Sequence, residues 1–393
     1  MCSEPLSLAH AASERSVATY RGNTGTVYSP VMERIDVAKQ RMHNQRLTGV
    51  PFDRPEEVVR WLGAVQSQDY GGAKWGVAQR TTGATNAELD RLFAEGAILR
   101  THVLRPTWHF VAPDDIRWLL GLTGPRVHAA NAFRYRQLEL DDVTLRRGND
   151  LLANALQGGK SLTRAELAEA IQGGGIDTSG QRLAHMVMYA ELDAVICSGH
   201  LRGKQFTYAL FDERVPRTRE FTRDEALAEL TRRYFASHGP ATVQDFAWWS
   251  GLTVTDGKTG IDLAKAHLTS EVVDGRTYWL AAAPMAVQPR TPAVHLIPNY
   301  DEYLVAYRDR SAALDESVLG RMKPDRDAIF ADSIIIDGLV AGRWRRTVGR
   351  YEVTVRTSPF VPLSGAERDA VRAAADVYGR FLELPVRFED VMG

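Results

Sequence analysis

The 393-residue sequence predicts an α+β fold assembled from repeated small units, and three observations carry that prediction. Amphipathic helices followed by a two-stranded ribbon occur in that order three times between residues 31 and 288. Asp-Gly pairs, a strong hairpin-turn signal, stand at Asp274-Gly275 and Asp337-Gly338. From Pro289 onward, short β-branched strands dominate.

The elements follow in order. Residues 1–30, rich in Ser, Ala and Thr, read as a flexible N-terminal extension. The first unit, 31–125, opens with a polar helix over 31–46 and an amphipathic helix over 55–66, whose stripe is Val58, Val59, Trp61, Leu62 and Val65. A helix over Asn86–Glu95 and a hairpin over 98–111, broken at Pro106, complete it. The second unit, 126–216, has helices at 144–156, 161–171 and 180–192, then strands 195–198 and 206–211 around the basic turn Arg202-Gly203-Lys204-Gln205. In the third, 217–288, helices 225–237, 242–250 and 256–267 precede a hairpin over 271–280. This order is that of three tandem winged-helix (helix-turn-helix) units. Residues 289–393 carry strands at 293–297, 334–336, 340–346 and 350–355 and a helix over Gly365–Leu382, read as a small C-terminal β-barrel-like domain.

Composition narrows the function. Lys and Arg total 48 against 49 Asp and Glu, so no global field draws the chain to nucleic acid or anionic membrane, and any such partner must meet a local patch. Two cysteines, Cys2 and Cys197, exclude a disulfide framework and a cysteine-rich zinc site, which points to a reducing cytoplasm. No apolar run of about 18 residues occurs, and Glu4, His10, Glu14 and Arg15 stand where a secretory signal would be apolar, so no membrane partner is expected. H-E-x-x-H, Walker, G-x-G-x-x-G and G-x-S-x-G motifs are absent, which argues against metal, nucleotide and serine-hydrolase chemistry; no metal or small-molecule cofactor is expected.

The most unusual local feature is Gln66-Ser67-Gln68-Asp69 at the end of helix 55–66. Gln66 falls four residues after Leu62, on the inward face, where a neutral amide needs partners. In a continuing helix Gln66 and Gln68 diverge by about 160°. If the chain turns extended, helped by Gly71-Gly72, period two brings them to one side. A helix-end cap at Gln66 with a solvated Gln68 is the alternative. In the hairpin, alternation puts Trp108 and Phe110 in the core and Thr107 and His109 outward, although His109 also suits a satisfied core position. Arg100, Arg105, Arg202, Lys204, Gln205, Arg343, Arg345 and Arg346 concentrate at hairpin tips and edges, where they either contact phosphates or are solvated. Tyr300-Asp301-Glu302-Tyr303 and Tyr307-Arg308-Asp309-Arg310 suit either an active-site loop or an internal ion-pair network joining the last domain to the others.

Four separated stretches, LGAVQSQDYGGAKWGVAQR at 62–80, the R-T and R-P-T-W-H hairpin at 99–111, the segment 180–204 and DEYLVAYRDR at 301–310, together resemble the bacterial AlkZ/YcaQ-type winged-helix DNA glycosylases. The resemblance spans about residues 31–390 and keeps the family's motif order. It implies three winged helices and a C-terminal β-barrel, and a catalytic Q-x-Q or Q-x-D element, here Gln66-Ser67-Gln68. The family's R-G-T-x-H hairpin is matched by Arg105, Thr107 and His109, with Pro106 at the usual glycine. The implied activity is hydrolysis of the N-glycosidic bond of N7- or N3-alkylated purines, bulky or crosslinked adducts included, in duplex DNA. Gln66 and Gln68 would position water, Thr107 and His109 would support them, and Asp69 would rank behind both as proton acceptor. The implied protein is a nucleoid-associated monomer of the cytoplasm. A non-enzymatic winged-helix DNA-binding protein or transcription regulator is the alternative; it would read DNA through one recognition helix per subunit of a dimer and needs no inward glutamines.

Overall fold

A computed structural model describes residues 32–282, 292–314 and 331–390; the extension 1–30 and the boundary at 288/289 lie outside them. Helix α1 (Arg34–Asn44) leads to α2 (Pro55–Leu62), which starts on Pro55 and buries Val58, Val59 and Leu62. Gly63, at φ +79°, stops α2 at Leu62, short of the expected residue 66, and the chain turns extended into strand β1 (Val65–Gln66). Gly71 and Gly72 do not open a turn. They lie in the first turn of α3 (Tyr70–Ala78), which the sequence pattern missed. Helix α4 (Asn86–Glu95), capped by Thr85 and closed by Gly96 in the left-handed region, precedes β2 (Leu99–Val103) and β3 (Arg105–Val111). The three strands form an antiparallel sheet in the order β1-β3-β2.

The expected boundary at 125/126 falls inside a 22-residue helix, α5 (Ile116–Gln137), which carries Pro125 within it. Helices α6 (Asp142–Leu156), α7 (Arg164–Gly173) and α8 (Arg182–Leu192) pack with an antiparallel sheet of β4 (Ser161–Thr163), β5 (Ile196–Ser198) and β6 (Thr207–Leu210), followed by the single turn α9 (Phe211–Arg214). Three further helices, α10 (Arg223–Ser237), α11 (Val243–Ser250) and α12 (Val254–Leu263), accompany the hairpin β7 (Leu268–Val273) and β8 (Arg276–Ala281). One core runs through all of these, from Leu99 and Val111 by Leu152 and Ile196 to Phe235 and Trp249.

The C-terminal segment is an open sheet, not the expected barrel. After β9 (Val294–Ile297) and the turn α13 (Glu302–Val305) come β10 (Ser333–Ile336), β11 (Leu339–Val348), β12 (Val353–Pro359), α14 (Gly365–Leu382) and β13 (Val386–Asp390). The strand order β13-β12-β11-β10-β9 leaves both ends unjoined. Closure fails because β13, unforeseen in the sequence, returns through α14 to pair parallel with β12, a βαβ crossover that extends the sheet sideways. The Asp274-Gly275 and Asp337-Gly338 turns have positive φ at both residues, as tight hairpins require. Trp75 on α3 donates to the Leu296 carbonyl at 2.7 Å and meets Tyr378 of α14 edge to face, so this sheet and the first helices share one core.

Buried polar contacts of the 301–309 segment hold these parts together. Arg80 Nη1 and Nη2 reach the two oxygens of Asp301 at 2.9 and 2.8 Å, and the guanidinium also donates to the Gly76 and Gln45 carbonyls. Gly76 is needed here because a Cβ would stand 2.9 Å from Asp301 Oδ2. Tyr307 hydroxyl donates to the His238 carbonyl and accepts from Gln45, and Asp245 accepts the main-chain N–H groups of Arg308 and Asp309. Removing one side of the Arg80–Asp301 pair strands a buried charge. Asp301→Ala should cost about 3–5 kcal/mol in urea denaturation, whereas the double replacement Arg80→Met/Asp301→Leu should recover much of that loss.

Candidate functional site

The three-stranded sheet sets out the polar residues. Gln66 pairs with His109 and His109 with Thr101, so the three side chains form one row across β1, β3 and β2. Period two puts Thr107 beside His109 on this face of β3; the register then shifts, and past that irregularity the Arg105 guanidinium returns to the same face to meet Gln66. Arg105 is set by a one-residue turn at Leu104, whose φ of +63° is costly for a branched side chain. The turn is held by complete burial of Leu104, by its N–H donating to Thr123 Oγ1, and by Gly251, where a Cβ would meet the Leu104 carbonyl at 2.1 Å.

Arg105 Nη2 donates to Gln66 Oε1 at 2.9 Å. A guanidinium only donates, so the Gln66 amide must turn its oxygen toward Arg105. The Gln66 main-chain N–H donates to Glu302 Oε1 at 2.8 Å, and Trp249 Nε1 donates to Glu302 Oε2 at 3.0 Å. The alternation rule put His109 outward, yet it is fully buried, with the Arg105 guanidinium and the Thr107 carbonyl beside its ring.

Burial, reinforced by Arg105, holds the His109 imidazole well below its usual range, so it is neutral. Its Nδ1 lies 2.9 Å from the Thr107 carbonyl, which only accepts, so Nδ1 carries the proton and Nε2 is an acceptor. His109 Nε2, Thr101 Oγ1, Thr107 Oγ1 and Arg105 Nε have no hydrogen-bond partner among the described residues. Burial lowers the Arg105 guanidinium, opposed by Glu302. The face thus offers one clamped amide, two hydroxyls and a neutral imidazole, a set suited to holding a small neutral polar molecule.

The other expected site residues are dispersed. Gln68 is exposed at the bend after β1. Asp69 caps α3 by accepting the Gly72 N–H and pairs with Arg346 at 3.0 Å, while Arg346 also reaches Asp332. Arg100 is buried, donating to the Ser67 carbonyl between the rings of Trp108 and Phe206. Arg343 is half-buried and donates to the Ala331 carbonyl. Arg202, Lys204, Gln205 and Arg345 are exposed, with Arg202 held to Glu166 and the Ser161 carbonyl. The pattern along the chain did not single out Glu302 or Trp249 as neighbours of Gln66; the adjacent acidic pair Asp301-Glu302 ahead of an aromatic and apolar run was the available signal. Two clefts of 630 Å³ each lie elsewhere, one lined by Trp118 and Phe221, the other by Asp245 and Arg276. Neither is lined by Gln66, Gln68 or His109. Among the described residues no cluster of three His, Cys, Asp or Glu side chains could hold a metal ion, and no helix is long and apolar enough to cross a membrane.

Comparison with known proteins identifies the scaffold. The profile of a family described as DNA glycosylase AlkZ-like matches residues 59–381. A curated protein of Streptomyces sahachiroi, an interstrand DNA cross-link repair glycosylase, is 26% identical over 372 residues, covering 85% of this chain and 94% of that protein. The solved structure of the Streptomyces sahachiroi DNA glycosylase AlkZ superposes with a TM-score of 0.72 at 22% identity, over 91% of this chain and all of that one. The resemblance noted in the motifs therefore extends to the whole fold, and the chain belongs to the AlkZ-like DNA glycosylase family.

Proposed function

We propose that this protein hydrolyses the N-glycosidic bond of N7- or N3-alkylated purines in duplex DNA, crosslinked adducts included, with water held by Gln66 and Gln68. The observation that carries the reading is the Gln66 amide, clamped through its oxygen by Arg105 beside a neutral His109 with an accepting Nε2. An alkylated purine is already cationic and leaves readily. What the protein must add is a water held against C1′, and orientation of this kind is worth several kcal/mol. Because the Gln66 oxygen is engaged by Arg105, its NH₂ group is the end left to orient the water, while the exposed Gln68 supplies an amide oxygen toward the developing positive charge. Thr107 hydroxyl and His109 Nε2 accept or relay hydrogen bonds around that water. Asp69, engaged by Gly72 and Arg346, stands behind the glutamines as proton acceptor.

In this reading the three helix-and-ribbon groups are tandem winged helices on one DNA duplex, met by a monomer without a cofactor. Lys204, Gln205 and Arg345 contact phosphates, and Arg202 exchanges its exposed ion pair, worth little in water, for one more. Arg105, Arg100 and Arg346 shape the site from inside, through Gln66, the Ser67 carbonyl and Asp69, and Arg343 joins the phosphate contacts. The protein works in the cytoplasm at the nucleoid, and the cross-link repair named for its Streptomyces relative is a substrate class to test here.

Duplex DNA bearing N7-methylguanine, incubated with the protein and heated in alkali, should break at the abasic sites formed, and both Gln66→Ala and Gln68→Ala should cut breakage to a slow but measurable residual rate, about 100-fold or more below wild type. Salt-sensitive binding without base release would instead indicate a regulator. Lys204→Ala and Arg345→Ala should each weaken DNA binding uniformly across sequences and reduce the salt slope by about 1 in fluorescence anisotropy. The base-release rate should be flat from pH 8 to 6, since His109 is already neutral there. The unfolded chain takes up the proton below the ordinary histidine value of 6.5 while the folded state does not, so stability should fall as pH drops through that value. Thermal melts from pH 8 to 5 should show this slope, to which the buried His238 and His295 also contribute, and His109→Gln should reduce it by one histidine's share.

A further inference from the structure

We infer that Glu302 is a positioning residue for this chemistry: its carboxylate fixes the Gln66 main chain, and with it the reach of the Gln66 amide. The inference rests on the reading of Gln66 as a water-holding group. Strand β1 has two residues and lies at the edge of its sheet. The Ser67 N–H turns inward to the Trp108 carbonyl, so the Gln66 N–H faces the open edge, where a fourth strand would supply an acceptor. Glu302 supplies it at 2.8 Å from a position 236 residues downstream.

The second carboxylate oxygen ties that point to the helices. It accepts from Trp249 Nε1 at 3.0 Å, with His238 Nε2 at 3.4 Å, and the Trp249 ring lies against Gly63, in van der Waals contact at 3.5 Å with the position a Cβ there would take. Gly63 is the residue that ends α2 two positions before β1. One carboxylate with two accepting oxygens therefore holds both the strand and the ring that braces the turn into it. Arg105 then orients the amide from the side-chain end. An isosteric glutamine at 302 has a single accepting oxygen, so one of the two N–H donors would meet another donor.

The test combines single-turnover base release from duplex DNA carrying N7-methylguanine with DNA binding by anisotropy, for wild type, Glu302→Gln, Gln66→Ala and the double variant. Glu302→Gln should slow release by roughly 10- to 100-fold, as a misplacement of about 1 Å does, with DNA affinity unchanged. The double variant should be no slower than Gln66→Ala alone, because both changes act through one group. Exchange of the Gln66 amide hydrogen, followed by NMR, should accelerate in Glu302→Gln. Active wild type with an equally active Glu302→Gln, or a double variant slower by the full factor again, overturns the inference and leaves the function standing. Wild type that releases no base overturns the function reading and the catalytic part of the inference with it. If Glu302→Gln does not fold, Trp249→Phe, which removes only the second donor, should give a smaller loss with the same dependence on Gln66, and an equal loss in the Gln66→Ala background overturns the inference.

Discussion

Burying the adjacent carboxylates of Asp301 and Glu302 is the constraint on which the rest of this structure depends. Both lie almost wholly out of water, and a carboxylate there is tolerable only if donors surround it. No single element can provide them. Asp301 takes Arg80 from just beyond α3, and Glu302 takes the N–H of β1 and the indole of α11. The neighbouring Tyr307 and the 308–309 main chain engage α1, α10 and α11 through Gln45, His238 and Asp245. Satisfying two charges thus draws the first, third and last parts of the chain to one point, and the polar face of the first sheet lies against it.

That arrangement explains the chemistry of the face. A sheet exposed to water would let His109 titrate in the ordinary way. Buried instead, it carries an arginine whose one guanidinium nitrogen is committed to Gln66 and an imidazole kept neutral by burial and by that arginine. Low polarity around a few unsatisfied hydrogen-bonding atoms makes each of them strongly directional toward whatever small polar group enters.

Much of this architecture was legible along the chain. Gln66 stood out because an amide interrupted an apolar stripe, and both Asp-Gly pairs marked hairpins whose two residues have positive φ. Helices 86–95 and 365–382 carried cap residues, Thr85 and Ser364, at their starts. Other features left no local mark. Pro125, with Gly121 and Gly124 before it, disguised α5, and two glycines at the start of α3 read as a break although tertiary packing of Trp75 keeps the helix. Strand β13 is short and half-polar, and its parallel pairing is decided by a helix packing on the sheet, so the open topology could not be read from pattern. Nor does an arginine announce its surroundings: Arg100 between two rings and Arg346 between two carboxylates look in sequence like the exposed Arg345.

The edge position of β1 has a consequence for synthesis. A ribosome releases residues in order, so Gln66 is made 236 residues before the acceptor for its N–H, and the hairpin too is complete long before that acceptor exists. At about 5–20 residues per second, that interval is roughly ten to fifty seconds. The first helices also lack Leu296, Trp344 and Tyr378, which finish their core. The amino-terminal third therefore waits, its apolar face exposed to chaperones, and the clamp at Gln66 assembles only after the 301–309 segment has emerged.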